Sequence, residues 1–570
     1  MNLRNYIVVL AIGMAAATTL AVGCAPAANS GGNAVASGNE ADKPHDSDTG
    51  HDGIKLSPED MERGKNIYFD RCAGCHGVLR KGATGPNLEP ENSRKKGTAF
   101  LEAIIHYGSP AGMPEWGKSG ILSPDEVKLL ARYVQNEPPP PPERSLKEIK
   151  DSHKLYVPVD KRPTAPPTGR NWQNYFGVIL RDIGKVAIVD GDTYDLVNVV
   201  NSGFAVHILR SSASGRYFYS IGRDGKVGMI DLWMDKPDIV AEVKAANEAR
   251  SVETSKFEGY LDKYVIVGGY WPPSLVIMKG ETLEPIRVVS TSSYEIDNGE
   301  FVREARVAAI VADHHSPSWM VNIKETGEVW SVDYSQIEGG NGPVGIRMIS
   351  AERYLHDGGW DSTRRYLLMA ANARHRISVI DTKTRKLVAN VETKGQVPHP
   401  GRGANVSHPQ FGPLWATGHI GSNHISFIGT DPEGHASNAW KVVKLVELPG
   451  VGGGNLFIKT HPNSRHIYCD RALNPDKELA DSVFVIDAET LNVKKTLILP
   501  EEYRGHKAVH LEYNKQGTEV WVSAWGRKDQ QGAIIVYDDK TLEIKKIITG
   551  DWMVTPTGKF NVFNTMNDIY

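Results

Sequence analysis

Beyond about residue 170 the chain is written in short β-branched runs, each closed by a polar turn and recurring at a quasi-regular interval. The turns are marked by Val189-Asp190, Ile230-Asp231, Met278-Lys279-Gly280, Val332-Asp333, Ile380-Asp381, Thr430-Asp431, Ile486-Asp487 and Tyr537-Asp538. These eight markers are spaced by about 41 to 56 residues, room for a four-stranded sheet each. No helical pattern intervenes, which favours a propeller over a parallel sheet. The pattern predicts an all-β eight-bladed propeller over residues 170–570. Gly558-Lys559-Phe560-Asn561-Val562 reads as a last strand that pairs with the first blade and removes a sheet edge.

The N-terminal part follows other periods. Arg4 precedes an apolar run from Ile7 to Ala17 and small residues up to Cys24, the pattern of a secretory signal over 1–24 and too short to span a bilayer. Ala21-Val22-Gly23-Cys24 resembles a lipobox, which would lipidate Cys24 and anchor the exported chain to a membrane; a plain cut near the same place is the alternative. Residues 25–54 are small and polar, a flexible arm that holds His45 and His51. Ser57-Pro58-Glu59-Asp60 is a helix start, with proline in the first turn and acids favoured by the helix dipole. A second helix, Pro124 to Gln135, turns Val127, Leu130, Ala131 and Val134 to one face. Two helices framing 55–137 predict a small all-α domain. Pro138 to Pro142 form a stiff spacer, and further prolines extend a linker over 138–169.

Composition narrows the function classes. The chain has 570 residues, too many for one ordinary domain, and 65 basic against 68 acidic side chains. It lacks a long basic run that would track a phosphate backbone, so nucleic acid is not an expected partner. Of four cysteines, Cys469 has no role and no partner, so no disulfide framework is expected.

Two of the others carry chemistry. Cys72-Ala73-Gly74-Cys75-His76 is a covalent haem address: the two thiols can add to the vinyl groups, and His76 can ligate the iron. A zinc site would need two more ligands at paired spacing, and none is present. Met113, in the rigid stretch Ala111 to Gly117, is the candidate sixth ligand of this haem c, a soft thioether that favours the ferrous state. A core methionine is the plain alternative. In the propeller three histidines stand in specific contexts: Ala205-Val206-His207, His356-Asp357-Gly358-Gly359 and Pro398-His399-Pro400. Each alone reads as an ordinary strand, turn or loop residue. His356 and His399 fall near one period apart, so adjacent blades can present them to one axial site.

The haem loop from Cys72 to Gly85 resembles that of the cytochrome cd1 nitrite reductases. So do Gly222-Arg223-Asp224-Gly225, Tyr270-Trp271-Pro272-Pro273, His356-Asp357-Gly358-Gly359, Pro398 to Asn405, and Thr555 to Val562, a likeness covering about residues 57 to 570. The resemblance implies a periplasmic homodimer that reduces nitrite to nitric oxide, with haem c as electron entry and a non-covalent haem d1 on the propeller axis. It implies His207 as ligand of the d1 iron and His356 and His399 on the opposite face as proton donors with pKa values near neutrality. Arg181, Arg210, Arg223, Arg402 and Tyr270 match positions near the d1 ring, whose carboxylates guanidinium groups can pair. The electron donor would be a small cytochrome c or a cupredoxin. The arm holds no tyrosine to cap a haem, as some members have; His45 or His51 is the available substitute. Two rivals share the layout: a dehydrogenase of d1 biosynthesis, and a d1 carrier or electron-transfer protein without catalysis.

Overall fold

The computed structural model describes residues 54–82, 85–109, 113–337, 340 and 342–570, all within one compact unit. The signal segment with Cys24 and the arm with His45 and His51 lie outside the described residues.

The N-terminal domain is helical. Its first helix, Pro58–Ile67, is capped by Ser57, whose hydroxyl accepts from Asp60 N, and runs into a π-helical turn, Tyr68–Cys72. The helix Pro124–Tyr133 opens on a capping box between Ser123 and Glu126 and buries Val127, Leu130 and Ala131, the face expected from the sequence. Pro90–Lys96 and Thr98–Tyr107 add two helices, the latter burying Leu101 and Ile105. Arg80 closes the domain: fully buried, it donates to the carbonyls of Tyr133, Val134 and Asn136 and lies over the rings of Tyr133 and Tyr68.

Eight antiparallel sheets of four strands, one with a fifth, form the propeller, and each steps outward from an axial strand. In blade 1 the axial strand is Pro556–Asn561, and Phe176–Leu180, Lys185–Val189 and Leu196–Asn201 follow. The end of the chain is thus paired to its beginning, with Asn561 opposite Phe176, and the ring closes as the sequence predicts. The axial strands of blades 2 to 8 are Val206–Ser211, Glu248–Thr254, Val307–Ala312, Leu355–Trp360, Ala404–His408, Ile458–Lys459 and Lys507–Tyr513. Within 138–169 the chain forms the helix Leu146–Asp151 and the strand Lys154–Leu155, which pairs with the outer strand of blade 2. Among the described residues no helix is long and apolar enough to cross a membrane.

One irregularity recurs. The ladder between axial strand and neighbour slips between Val206 and Ile208, between Ala249 and Ser251, between Val307 and Ile310, between Leu355 and Gly358, and between Val509 and Leu511. A bulge leaves one or two residues off the ladder and turns their side chains. Those left over include His207, Arg250, His356, Asp357 and His510.

Candidate functional site

The bulges aim side chains from several blades into one axial hollow. His207 is solvent-exposed although it sits on an axial strand. It faces a space enclosed by the blades, and that enclosure, with the charges of Arg250, Arg223, His356 and Arg181, holds it well below the usual imidazole range and favours the neutral ring. Blades 1, 2, 3 and 5 therefore face the same space.

On blade 5 His356 Nδ1 lies 3.2 Å from Asp357 Oδ1. His399, in the loop entering blade 6, stands 3.5 Å from the other oxygen of the same carboxylate, and its ring centroid is 5.2 Å from that of His356. Gly401 N donates to Asp357 Oδ2, and His399 Nδ1 donates to Leu456 O at 2.9 Å. Each imidazole thus has one nitrogen fixed, leaving Nε2 to face the hollow. The expectation that both rings titrate near neutrality fails for His356: burial, with Lys324 and His399 nearby, pushes it down to about 4 against the opposing pull of Asp357.

Cationic groups dominate the wall. Glu253, fully buried, lies 3.8 Å from Arg210 and 3.6 Å from Arg402. Glu248 lies 3.4 Å from Arg223 and 3.0 Å from Arg250. Arg181 pairs with Asp182 at 2.9 Å. Burial pushes Arg210 and Arg223 down to about 10, the neighbouring arginine adding to the effect in each case. The Nε atoms of Arg210, Arg223 and Arg250 are buried with no hydrogen-bond partner. Tyr270 is buried between two guanidinium groups, Arg250 at 4.9 Å and Arg306 at 5.3 Å from its ring centroid.

In the helical domain the His76 ring is buried and its Nδ1 lies 2.8 Å from Pro86 O, which leaves Nε2 for a metal. A Cβ on Gly85 would stand 2.8 Å from that ring, so only glycine lets the loop lie flat against it. Among the described residues no cysteine is joined in a disulfide. Met113 packs half-buried against the core that includes Leu101 and Trp116, as does Cys72.

Residues 170–565 match the family model described as the cytochrome D1 haem domain, and residues 59–134 match that of the cbb3-type cytochrome c oxidase subunit III. A nitrite reductase of Stutzerimonas stutzeri is 50% identical over 541 residues, 90% of this chain and 95% of that protein. The chain belongs to the cytochrome cd1 family. A dihydro-haem d1 dehydrogenase of Pseudomonas aeruginosa is 30% identical over 504 residues, covering 88% of this chain and 94% of that one. A solved dihydro-haem d1 dehydrogenase superposes with a TM-score of 0.66 at 29% identity, covering 88% of this chain and 99% of that chain.

The two cofactors of a cytochrome cd1 are haem c and haem d1, and the donor sets here fit both. The paired thiols and the oriented His76 suit a covalent haem. Three orphaned guanidinium nitrogens around a neutral imidazole suit a macrocycle with carboxylates and an iron in need of an axial nitrogen. The sequence reading missed Arg250, Arg306 and Lys324. The bond of His356 to Asp357 follows from their adjacency in the motif, but the sharing of that carboxylate with His399 does not. Nothing in the stretch Glu248-Ala249-Arg250-Ser251 marks Arg250, since its direction comes from the bulge.

Proposed function

We propose that this cytochrome cd1 is a dissimilatory nitrite reductase that forms nitric oxide and water at haem d1, with electrons entering through haem c. The pair His356 and His399, held 5.2 Å apart on one carboxylate, carries the reading. The half-reaction consumes nitrite, one electron and two protons and yields nitric oxide and one water.

Haem d1, when bound, would supply an iron to hold nitrite and the electron for its reduction. The chain's own residues do the rest. His207 would hold the iron, and its neutrality leaves a lone pair free. Arg210, Arg223, Arg250 and Arg402 would orient the ring through its carboxylates, and the surplus positive charge draws an anion inward. His356 is neutral at pH 7 while the pocket holds no anion. A negative ligand beside it favours the charged ring, so proton uptake follows substrate entry. The proton then sits on Nε2, because Nδ1 is turned to Asp357. His399, fixed at Nδ1 by Leu456 O, offers the second Nε2. Two positioned acids can protonate the departing oxygen twice as the N–O bond breaks.

The reading includes export to the periplasm, a homodimer, a small cytochrome c or cupredoxin as donor, and a lipid at Cys24. Support comes from the greater identity to the nitrite reductase, 50%, than to the dihydro-haem d1 dehydrogenase, 30%. Reconstitution with haem c and haem d1, reduction, and addition of nitrite should release nitric oxide. Oxidation of a d1 precursor without nitric oxide would mark a biosynthetic dehydrogenase, and d1 binding with neither reaction a carrier.

A further inference from the structure

The covalent haem loop lies directly on the wall of the axial hollow. Gly74, between the two haem cysteines, is buried, and a Cβ built there would stand 2.0 Å from Arg250 Nη2 and 2.7 Å from Arg223 Nη2. In a C-x-x-C-H address the two intervening positions make no bond to the haem, so haem attachment alone does not demand glycine. A methyl there would push aside the guanidinium tips of the hollow, and the backbone of Gly74 is itself held from the propeller. Arg306, buried just before the axial strand of blade 4, donates from Nη1 to Gly74 O at 3.2 Å, while its Nε donates to Glu325 at 2.8 Å. Two residues earlier, the buried Glu304 carboxylate accepts from Val78 N and, at 3.1 Å, from Leu79 N.

We propose that Glu304 and Arg306 are positioning residues that clamp the haem c loop, through the bare backbone of Gly74, onto the arginines of the axial hollow, and that this contact sets the rate of electron passage between the cofactors. The same Arg306 covers the ring of Tyr270, so one guanidinium touches both the loop of the electron-entry domain and the wall of the d1 site. In each passage haem c loses one electron and haem d1 gains it, and no bond or proton need change partner. The inference rests on the proposed function, in which haem c feeds haem d1.

The test uses the full chain with both haems. Gly74→Ala keeps Cys72, Cys75 and His76, so haem c attachment and its absorption should be unchanged. The amide protons of Val78 and Leu79 should exchange with solvent at least tenfold faster, and electron passage from flash-reduced haem c to haem d1 should slow at least tenfold. Glu304→Ala and Arg306→Leu probe the clamp from the propeller side, should Gly74→Ala fail to mature, and both effects should recur. Wild-type amide protection and wild-type transfer in Glu304→Ala would overturn the clamp. A wild-type protein that shows the protection yet passes no electron from haem c would instead overturn the functional reading and leave the contact standing.

Discussion

Replacing Asp357 by asparagine removes one negative charge while keeping the shape of the side chain. In the native site that charge lies 3.2 Å from His356 Nδ1 and 3.5 Å from His399 Nδ1. Two unit charges 3.2 Å apart at an effective dielectric of about 20 attract by about 5 kcal/mol. Solvent reaching the hollow screens this, since 26% of the His356 side chain is exposed, so about 1 to 3 kcal/mol is a working range. At about 1.4 kcal/mol per tenfold, the protonated share of His356 at a given pH should fall about five- to a hundredfold. The sign is fixed: Asp357 opposes the burial that already holds His356 at about 4, so without it the imidazole accepts a proton only at still lower pH. Nitric oxide release by the reduced holoprotein should drop about five- to a hundredfold at pH 7, and the alkaline limb of the rate profile, where the acid loses its proton, should move to lower pH. Haem d1 affinity and the haem c spectrum should be unchanged, because Asp357 touches neither donor set. A rate profile superimposable on the wild type would refute the shared-carboxylate argument.

Other expectations are independent of that one. His356→Ala or His399→Ala should slow nitrite reduction by about two orders of magnitude or more with d1 still bound, measured as nitric oxide release and d1 absorption. Arg223→Leu removes a guanidinium whose Nε lacks a protein partner, and should weaken d1 binding about ten- to a hundredfold in a titration of the apoprotein. Burial pushes Glu304 up to about 7 from an ordinary 4.5, so the docked carboxyl holds a proton that a solvated one has released. The docking stability from this effect is full below about 4.5 and lost as the pH rises through about 7; the protection factor at Val78, its exchange relative to the unfolded chain at each pH, should fall over that window, and Glu304→Gln should flatten it. Deleting residues 556–570 strips blade 1 of its axial strand, and should give insoluble protein or a fall of about 10 °C or more in Tm.

The propeller was legible because its turns are chemical. Each marker read from the sequence falls at the end of the third strand from the axis, as Val189 ends Lys185–Val189 and Asp333 ends Glu328–Asp333. The helix at Pro58 was legible because Ser57 announces it, and that at Pro124 because its apolar residues recur at helical spacing. Thr98–Tyr107 passed unseen: its cap is Gly97, which makes no side-chain bond, so an apolar stripe stood without a start signal. The histidines of the site were legible through their motifs. Arg250, Arg306 and Glu304 were not, because a bulge turns the first and contact with another domain recruits the other two. Direction on a strand is a property of register, and register is set by pairing partners far away in the chain.

The charge balance of the hollow connects the fold to its ligand. Arg210 and Arg402 share Glu253, and Arg223 and Arg250 share Glu248, so four buried or half-buried guanidinium groups face two carboxylates. A buried charge without a full partner is costly, and the burial that pushes Arg210 and Arg223 down to about 10 expresses that cost. Apolar side chains at these positions would pack a more stable ring. The surplus is rational only if an anion with several carboxylates completes the set, and then each arginine gains a charge-assisted bond while the ring gains stability by binding. Nitrite meets whatever positive charge the macrocycle leaves uncovered, beside His356, which burial holds uncharged, and the Nε2 of His399. The same excess of cations thus places the cofactor and attracts the substrate, while burial, helped by Lys324, disfavours the charged form of His356.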